Sequence, residues 1–315
     1  FCITDLLPHL AQDQMQKKLA DGITGEQLNL LIGSIPLEGS EKEAIEENIL
    51  KILLYLSAIF TVGILVFILG FILVKGYKEI TPTFIFSGYS ASGNGGIMPM
   101  IVSTLYVVGI SILVATPIGV LAAVYLQEYA KQGKVVKIIR FCTESLSGIP
   151  SIVYGLFGAI FFVGFLKFGY SLLSGALTVS IIILPVIIRT TEEALKVVPA
   201  SYREASLGLG ATKFQTLYKV ILPSSIPGIL SGIILSIGRV VGESAAILLT
   251  AGSVAKMPKG IFSSGRTLTV HSFLVAQEAG DIAEAAAVGI VLIIIILLLN
   301  SIAKIITKKF NKANY

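Results

Sequence analysis

Long apolar runs separated by short charged gaps dominate the chain. Residues 52–74 carry no charge between Lys51 and Lys75, and 98–126 lie inside an uncharged stretch from Ile80 to Gln127. The first part of that stretch, 83–96, is rich in Gly and Ser and reads as a loop. Further runs cover 149–166, 168–188, 223 to about 250, and 285–303. A helix crossing hydrocarbon needs roughly 20 mostly apolar residues, so six spanning helices are predicted. The runs are unbroken, whereas strands of a membrane β-barrel alternate in polarity over about ten residues. Pro117, Pro185, Pro223 and Pro227, with Gly109, Gly119 and Gly155, lie in or beside these runs. Several helices are therefore expected to bend or break. A break in lipid needs protein or a wet cavity to satisfy the freed backbone, although Gly and Pro are also ordinary membrane-helix residues.

Composition supports a membrane protein. Hydrophobic residues make up 54% of the 315 and charged residues 14%, against about 25% charged in soluble domains. The net charge of +5 invites a nucleic-acid reading, but the basic residues sit in gaps between apolar runs, which is membrane topology; no nucleic-acid partner is expected. Alternate gaps hold seventeen and six Lys and Arg, with Arg239 left inside a run. This asymmetry predicts a multi-pass protein of the cytoplasmic (inner) cell membrane, contacting lipid, with both termini in the cytoplasm. Cys2, Cys142, His9 and His271 show no ligand spacing, so neither metal, cofactor nor disulfide is expected.

Residues 1–48 differ from the rest. Nine of the 19 acidic residues precede Lys51, with an amphipathic stretch over 10–31 and an acidic run over 38–47. They are expected to form a soluble, helical, cytoplasmic extension, ahead of a transmembrane domain over 49–315. The extension has neither the basic start nor the apolar stretch of a signal peptide. It begins at Phe1 without a methionine, so the sequence need not be complete at this end.

The fourth gap is the most informative. It reads EEALKVVPASYREASLGLGATKFQTLYKVILP over 192–223. Glu204, Ala205 and Ser206 are followed four residues on by Gly210, and after nine more by Val220, Ile221, Leu222 and Pro223. This resembles the EAA loop of ABC importer permeases, with Ser206 for the second alanine and Val220 for isoleucine. The resemblance covers about 101–304 and implies an all-α, type I ABC importer permease fold. In the family this element docks on an ATPase subunit. The resemblance implies that role here for Glu204, Ala205, Ser206, Leu207, Leu209 and Gly210. Ser201 with Glu204 three residues on also predicts a capping box for a short helix, stopped by Gly208 and Gly210.

The chain has no nucleotide-binding loop of its own. Its Gly133-Lys134 is followed by Val135, with Glu128 where the first glycine of a phosphate-cradling loop would stand. It is expected to be a transport subunit, with ATP hydrolysed by a partner. GIPSIVYGLFG (148–158), LPVIIRTTEEALKVVP (184–199) and GRVVGESAAILLTAG (238–252) resemble the PstA-type permease of the phosphate-specific transporter. That resemblance implies a heterodimeric pore with a second phosphate permease, an ATPase dimer, an extracytoplasmic phosphate-binding protein and inorganic phosphate as cargo. An importer for another oxyanion, or a secondary transporter with no use for an EAA segment, remain alternatives.

Charges inside the membrane supply the candidate pathway. Arg239 falls near the centre of the fifth run, with Glu243 one turn on. An arginine at mid-membrane costs about 2.5 to 3.5 kcal/mol on insertion scales and is a functional candidate by default. Gly228, Gly232, Ser236, Arg239, Glu243 and Ala246 step by three or four along one expected helical face, placing it at a helix interface or the pore. Only 5 of the 24 basic residues are Arg, and a guanidinium fork suits a phosphate in a way an ammonium does not. Arg189 joins the candidates on that ground, with service as an interfacial anchor the other reading. For Arg239 the other reading is pairing with the partner permease. Ser147, Ser151, Tyr154 and Gly158 form a further stripe, open to helix packing or to lining a passage.

Overall fold

The computed structural model describes residues 40–90 and 95–313, with side chains over 47–90 and 95–305. Residues 1–39, and with them most of the expected extension, lie outside the described residues. The helices are α1 (Ser40–Gly76), α2 (Pro82–Phe86), α3 (Met98–Val124), α4 (Lys134–Ser147), α5 (Ser151–Gly158), α6 (Leu172–Val197), α7 (Ala200–Gly208), α8 (Lys213–Thr216), α9 (Leu222–Val241), α10 (Ala245–Thr250), α11 (Leu268–Leu274) and α12 (Ile282–Ala313). Widened π turns prolong α3 (Tyr125–Tyr129), α5 (Ala159–Phe165), α8 (Leu217–Ile221) and α11 (Val275–Ala279). No strand occurs among the described residues.

Five stretches are long and apolar enough to cross a membrane: Glu47–Glu79, Met98–Tyr129, Leu172–Val197, Lys213–Val241 and Ile282–Ile305. The pair Lys134–Ser147 and Ser151–Phe165, bent by 98°, makes six when counted as one. The bend falls at Gly148-Ile149-Pro150. The proline there lacks an N–H and disfavours helical backbone in the residue before it. The expected loop over 83–96 contains the end of α2, which Thr81 caps by accepting the N–H of Phe84 at 3.1 Å.

The chain falls into two compact units that meet within α1, between Phe67 and Ile68. In the first, every described side chain from Glu47 to Phe67 is exposed and most are apolar. The second holds the bundle. Its core joins Val107, Val108 and Ala115 of α3 to Ala176, Val179, Ile183 and Ile187 of α6, with Val240, Ile247 and Val270 completing it. Hydroxyls bond the two central helices: Ser111 Oγ donates to the Ala176 carbonyl at 2.9 Å, and Ser180 Oγ to the Ser111 carbonyl at 3.3 Å. Such small polar residues allow close approach where lipid offers no competing water.

Helix α9 packs antiparallel on α6. Gly228 abuts Ala194 and Gly232 abuts Thr190, with no room for a Cβ at either glycine. One turn forward on α9 thus matches one turn back on α6. Extended along both helices, this register sets Arg239 level with Ile183. The 26 residues of α6 have their midpoint at Leu184 and Pro185.

The fifth run departs from expectation. A continuous helix to about residue 250 is expected, but α9 ends at Val241 and α10 begins at Ala245. Thr269 explains why a break is tolerable here. Its Oγ1 lies 3.1 Å from the carbonyl oxygen of Val241 and 3.0 Å from that of Glu243, covering acceptors that the break leaves open.

Candidate translocation and coupling sites

Arg239 occupies the last turn of α9, not the middle of a helix. Its position is favourable, since the carbonyls left open at a helix C-terminus attract a cation. Arg239 is exposed and forms no hydrogen bond or ion pair among the described residues. Its charge reaches the Tyr154 phenol.

Glu243 does not share a helical face with Arg239, because the helix has ended before it. Its side chain turns the other way along the chain: Oε1 accepts the N–H of Ala246 at 3.3 Å and braces the start of α10. The expected face also divides. Gly228 and Gly232 pack on α6 of the same chain and Ser236 is buried, while Arg239 stands at the open edge. In the third span, Tyr154 donates to the Leu146 carbonyl at 2.7 Å, and Gly158 is packed against Thr178 and Thr250. Ser147 donates to Glu144 of its own helix at 2.7 Å. Tyr154 and Gly158 are thus packed, whereas Ser147 is exposed and lines a cleft between α4 and α6.

Arg189 lies about one and a half turns of α6 from Arg239's level, in a cleft of about 430 Å³ between α4, α6 and α9. The cleft also holds Arg140, Glu144, Glu192, Glu193 and Lys196. Arg189 is engaged by two carboxylates, Glu144 at 3.2 Å and Glu193 at 3.3 Å. Arg140 pairs with the buried Glu192 at 3.0 Å. The Arg140–Glu192 and Arg189–Glu144 bridges tie the amphipathic α4 to α6, while Arg189–Glu193 lies within α6.

The segment resembling the EAA loop forms α7 and the turn after it. Its cap differs from the one expected: the N-cap is Pro199, with no side-chain bond, and the helix starts at Ala200. Ser201 and Glu204 therefore lie inside the helix, where a capping box cannot form. A capping box exists instead at α8, between Thr212 and Gln215. The C-terminal stop is at Gly210, whose φ of +83° is left-handed. The Ala211 N–H bonds to Ser206 O at 3.2 Å and the Gly210 N–H to Leu207 O at 2.9 Å. This paired closure favours glycine at the left-handed residue. Ser206 Oγ lies 2.9 Å from Thr216 Oγ1, pinning α7 to α8. Glu204 and Ala205 are exposed, Leu207 is half-exposed and Leu209 is 90% exposed. Tyr202, Phe214 and Tyr218 extend this apolar tip.

Three contributors escaped the sequence reading. Thr269 holds the break from 26 residues away. Arg203, inside the recognised segment, bonds Glu128 at 2.8 Å across 75 residues. His271 is fully buried between Arg266 and Glu284, and burial, aided by the Arg266 charge, lowers its pKa to about 4.

The described residues thus form a bundle of long apolar helices, one interrupted after Val241, with a short exposed helix between two spans. Residues 115–313 match the family described as binding-protein-dependent transport system inner membrane component, and the chain belongs to this family of ABC importer permeases. It is 38% identical over 267 residues to the probable ABC transporter permease protein YqgI of Bacillus subtilis (strain 168), covering 79% of this chain and 90% of that one. It is 34% identical over 215 residues to the phosphate transport system permease protein PstA 1 of Mycobacterium tuberculosis (strain CDC 1551 / Oshkosh), covering 67% and 70%. Among solved structures, a chain of a bacterial alginate ABC transporter, crystallised with its alginate-bound periplasmic protein, superposes with a TM-score of 0.65 at 14% identity. It covers 86% of this chain and 98% of that one. At that identity the likeness concerns the fold.

Proposed function

We propose that this chain is one permease of an ATP-driven inorganic phosphate importer, paired with a second phosphate permease in a multi-pass assembly whose termini both face the cytoplasm. One subunit of an ATPase dimer docks on the α7 tip, and an extracytoplasmic phosphate-binding protein delivers the cargo. The observation that carries this reading is the guanidinium of Arg239, unpartnered among the described residues, in the last turn of α9 beside the break. A fixed cation in a poorly polarisable setting attracts an anion strongly, and its planar fork can meet two phosphate oxygens at once. The phosphate permease among the relatives supports phosphate as the anion. Arg189, one and a half turns nearer α7, takes the anion next once Glu144 and Glu193 release it, so passage couples to loosening of α4 from α6.

The test is uptake by proteoliposomes holding both permeases, the ATPase and the binding protein, supplied with phosphate, sulfate or molybdate. ATP-dependent accumulation of phosphate, undiminished by excess sulfate or molybdate, is expected. Accumulation of another oxyanion in its place would reassign the cargo, and accumulation of phosphate without ATP would make the protein a secondary transporter.

A further inference from the structure

Among the described residues, side-chain bonds from α7 to other elements come from two residues. Ser206 reaches Thr216, on the element that follows in the chain. Arg203 reaches farther. Its Nη1 donates to the Val198 carbonyl at 2.8 Å, and its Nη2 donates to the Leu195 carbonyl at 2.9 Å and to Glu128 Oε1 at 2.8 Å. Leu195 and Val198 lie at the end of α6, and Glu128 lies in the π turn that ends α3. One guanidinium thus gathers α7, α6 and α3.

The pair is well sheltered, with side chains 25% and 11% exposed. It lies beside a small apolar core in which Val124 of α3 and Leu195 and Val198 at the end of α6 meet Leu217 and Ile221 of the π turn after α8. Shelter of this kind makes a charged, hydrogen-bonded pair stiffer than one at an open surface and makes loss of one partner costly. A lysine cannot replace the fork, because a single ammonium cannot present donors along these separate directions.

Helix α3 runs from Glu128 back to its second turn. There Thr104 Oγ1 accepts the N–H of Leu268 at 3.0 Å. The next residue is Thr269, which holds the broken end of α9 beside Arg239. A packed, bonded route therefore runs from the tip of α7 through Arg203, Glu128 and α3 to the break.

We propose that Arg203 and Glu128 are a positioning pair that makes α7 and α3 move as one body, so that displacement of the α7 tip by the ATPase is delivered to α3 and onward to the break in α9. This rests on the family assignment and not on phosphate as the cargo. In the reconstituted complex, with Cys2 and Cys142 replaced by Ser, spin labels at Ser201→Cys and Leu121→Cys report the distance between α7 and α3. That distance should be the same in nucleotide-free and vanadate-trapped states. Glu128→Ala, which leaves Arg203 its two carbonyl bonds, should let it shift between states while the ATPase still co-purifies. Glu128→Gln, retaining an acceptor, should fall between. In the same vesicles, phosphate delivered per ATP should drop by about fivefold or more in Glu128→Ala, the lower end of coupling between distant sites. An invariant distance in Glu128→Ala, or one that already shifts between states without the substitution, would overturn the proposal. So would loss of the ATPase from Glu128→Ala, which would mean that the pair builds the docking site instead of transmitting motion. The distance measurement requires no transported substrate, so its outcome is separable from the identity of the cargo.

Discussion

Gly232 of α9 lies against Thr190 of α6 so closely that a Cβ on the glycine would overlap the threonine hydroxyl. This contact fixes the register that puts Arg239 level with the middle of α6. Gly232→Ala should destabilise the detergent-solubilised complex by about 1 to 3 kcal/mol, the usual range for overpacking. Gly238→Ala, where the added methyl meets open space, should stay within about 0.5 kcal/mol of the unsubstituted protein. Thermal unfolding monitors both. Thr190→Ala combined with Gly232→Ala should recover only part of the loss, because the Cβ of residue 190 stays 2.7 Å from the added methyl.

The break in α9 depends on Thr269. Thr269→Val keeps the shape but removes the donor shared by Val241 and Glu243, and should cost about 1 to 3 kcal/mol, as for other buried groups left unsatisfied. Thr269→Ser should behave nearly as threonine does. Unfolding midpoints of the two variants, read beside their transport rates, check this.

The sequence announced the spans because hydrocarbon demands length and apolarity, which are local properties. The stop at Gly210 was legible for a similar reason, since a left-handed residue favours glycine. The break after Val241 was not, because Gly-Glu-Ser sits in an otherwise apolar run and the groups that tolerate the break come from Thr269. The capping pattern at Ser201 and Glu204 misled because Pro199 starts the helix two residues earlier. Glu243 was placed beside Arg239 by extending a helical period past the end of the helix. Arg203 and Glu128 stand 75 residues apart, and no periodicity connects them.

Gly210 lies with open space around its added Cβ, so the constraint there is its φ of +83°. Gly210→Asp places a non-glycine residue in left-handed backbone, at about 1 to 2 kcal/mol, and sets a charge beside the apolar Leu209. The variant should insert and retain the second permease, yet hydrolyse ATP without matching uptake. Gly208→Ala should transport normally. Paired assays of hydrolysis and uptake distinguish the two.

His271 lies outside the candidate spans, and its pKa falls from 6.5 to about 4 on folding. The unfolded chain thus binds the extra proton between those values while the folded one does not. Stability from this group is fully present above about pH 6.5 and declines as pH drops toward 4. The unfolding temperature of the complex should fall across that window, and His271→Gln should remove this component of the slope.

The most direct measurement is ATP-dependent phosphate uptake by the full complex in proteoliposomes bearing Arg239→Gln, with Arg239→Lys alongside. If Arg239 meets the anion during passage, the glutamine variant assembles with its partner permease and ATPase but takes up no phosphate, and the lysine variant, keeping charge without the fork, is strongly impaired. Uptake at the unsubstituted rate by an assembled Arg239→Gln complex, or failure of that variant to assemble, would contradict a place for Arg239 in the pathway.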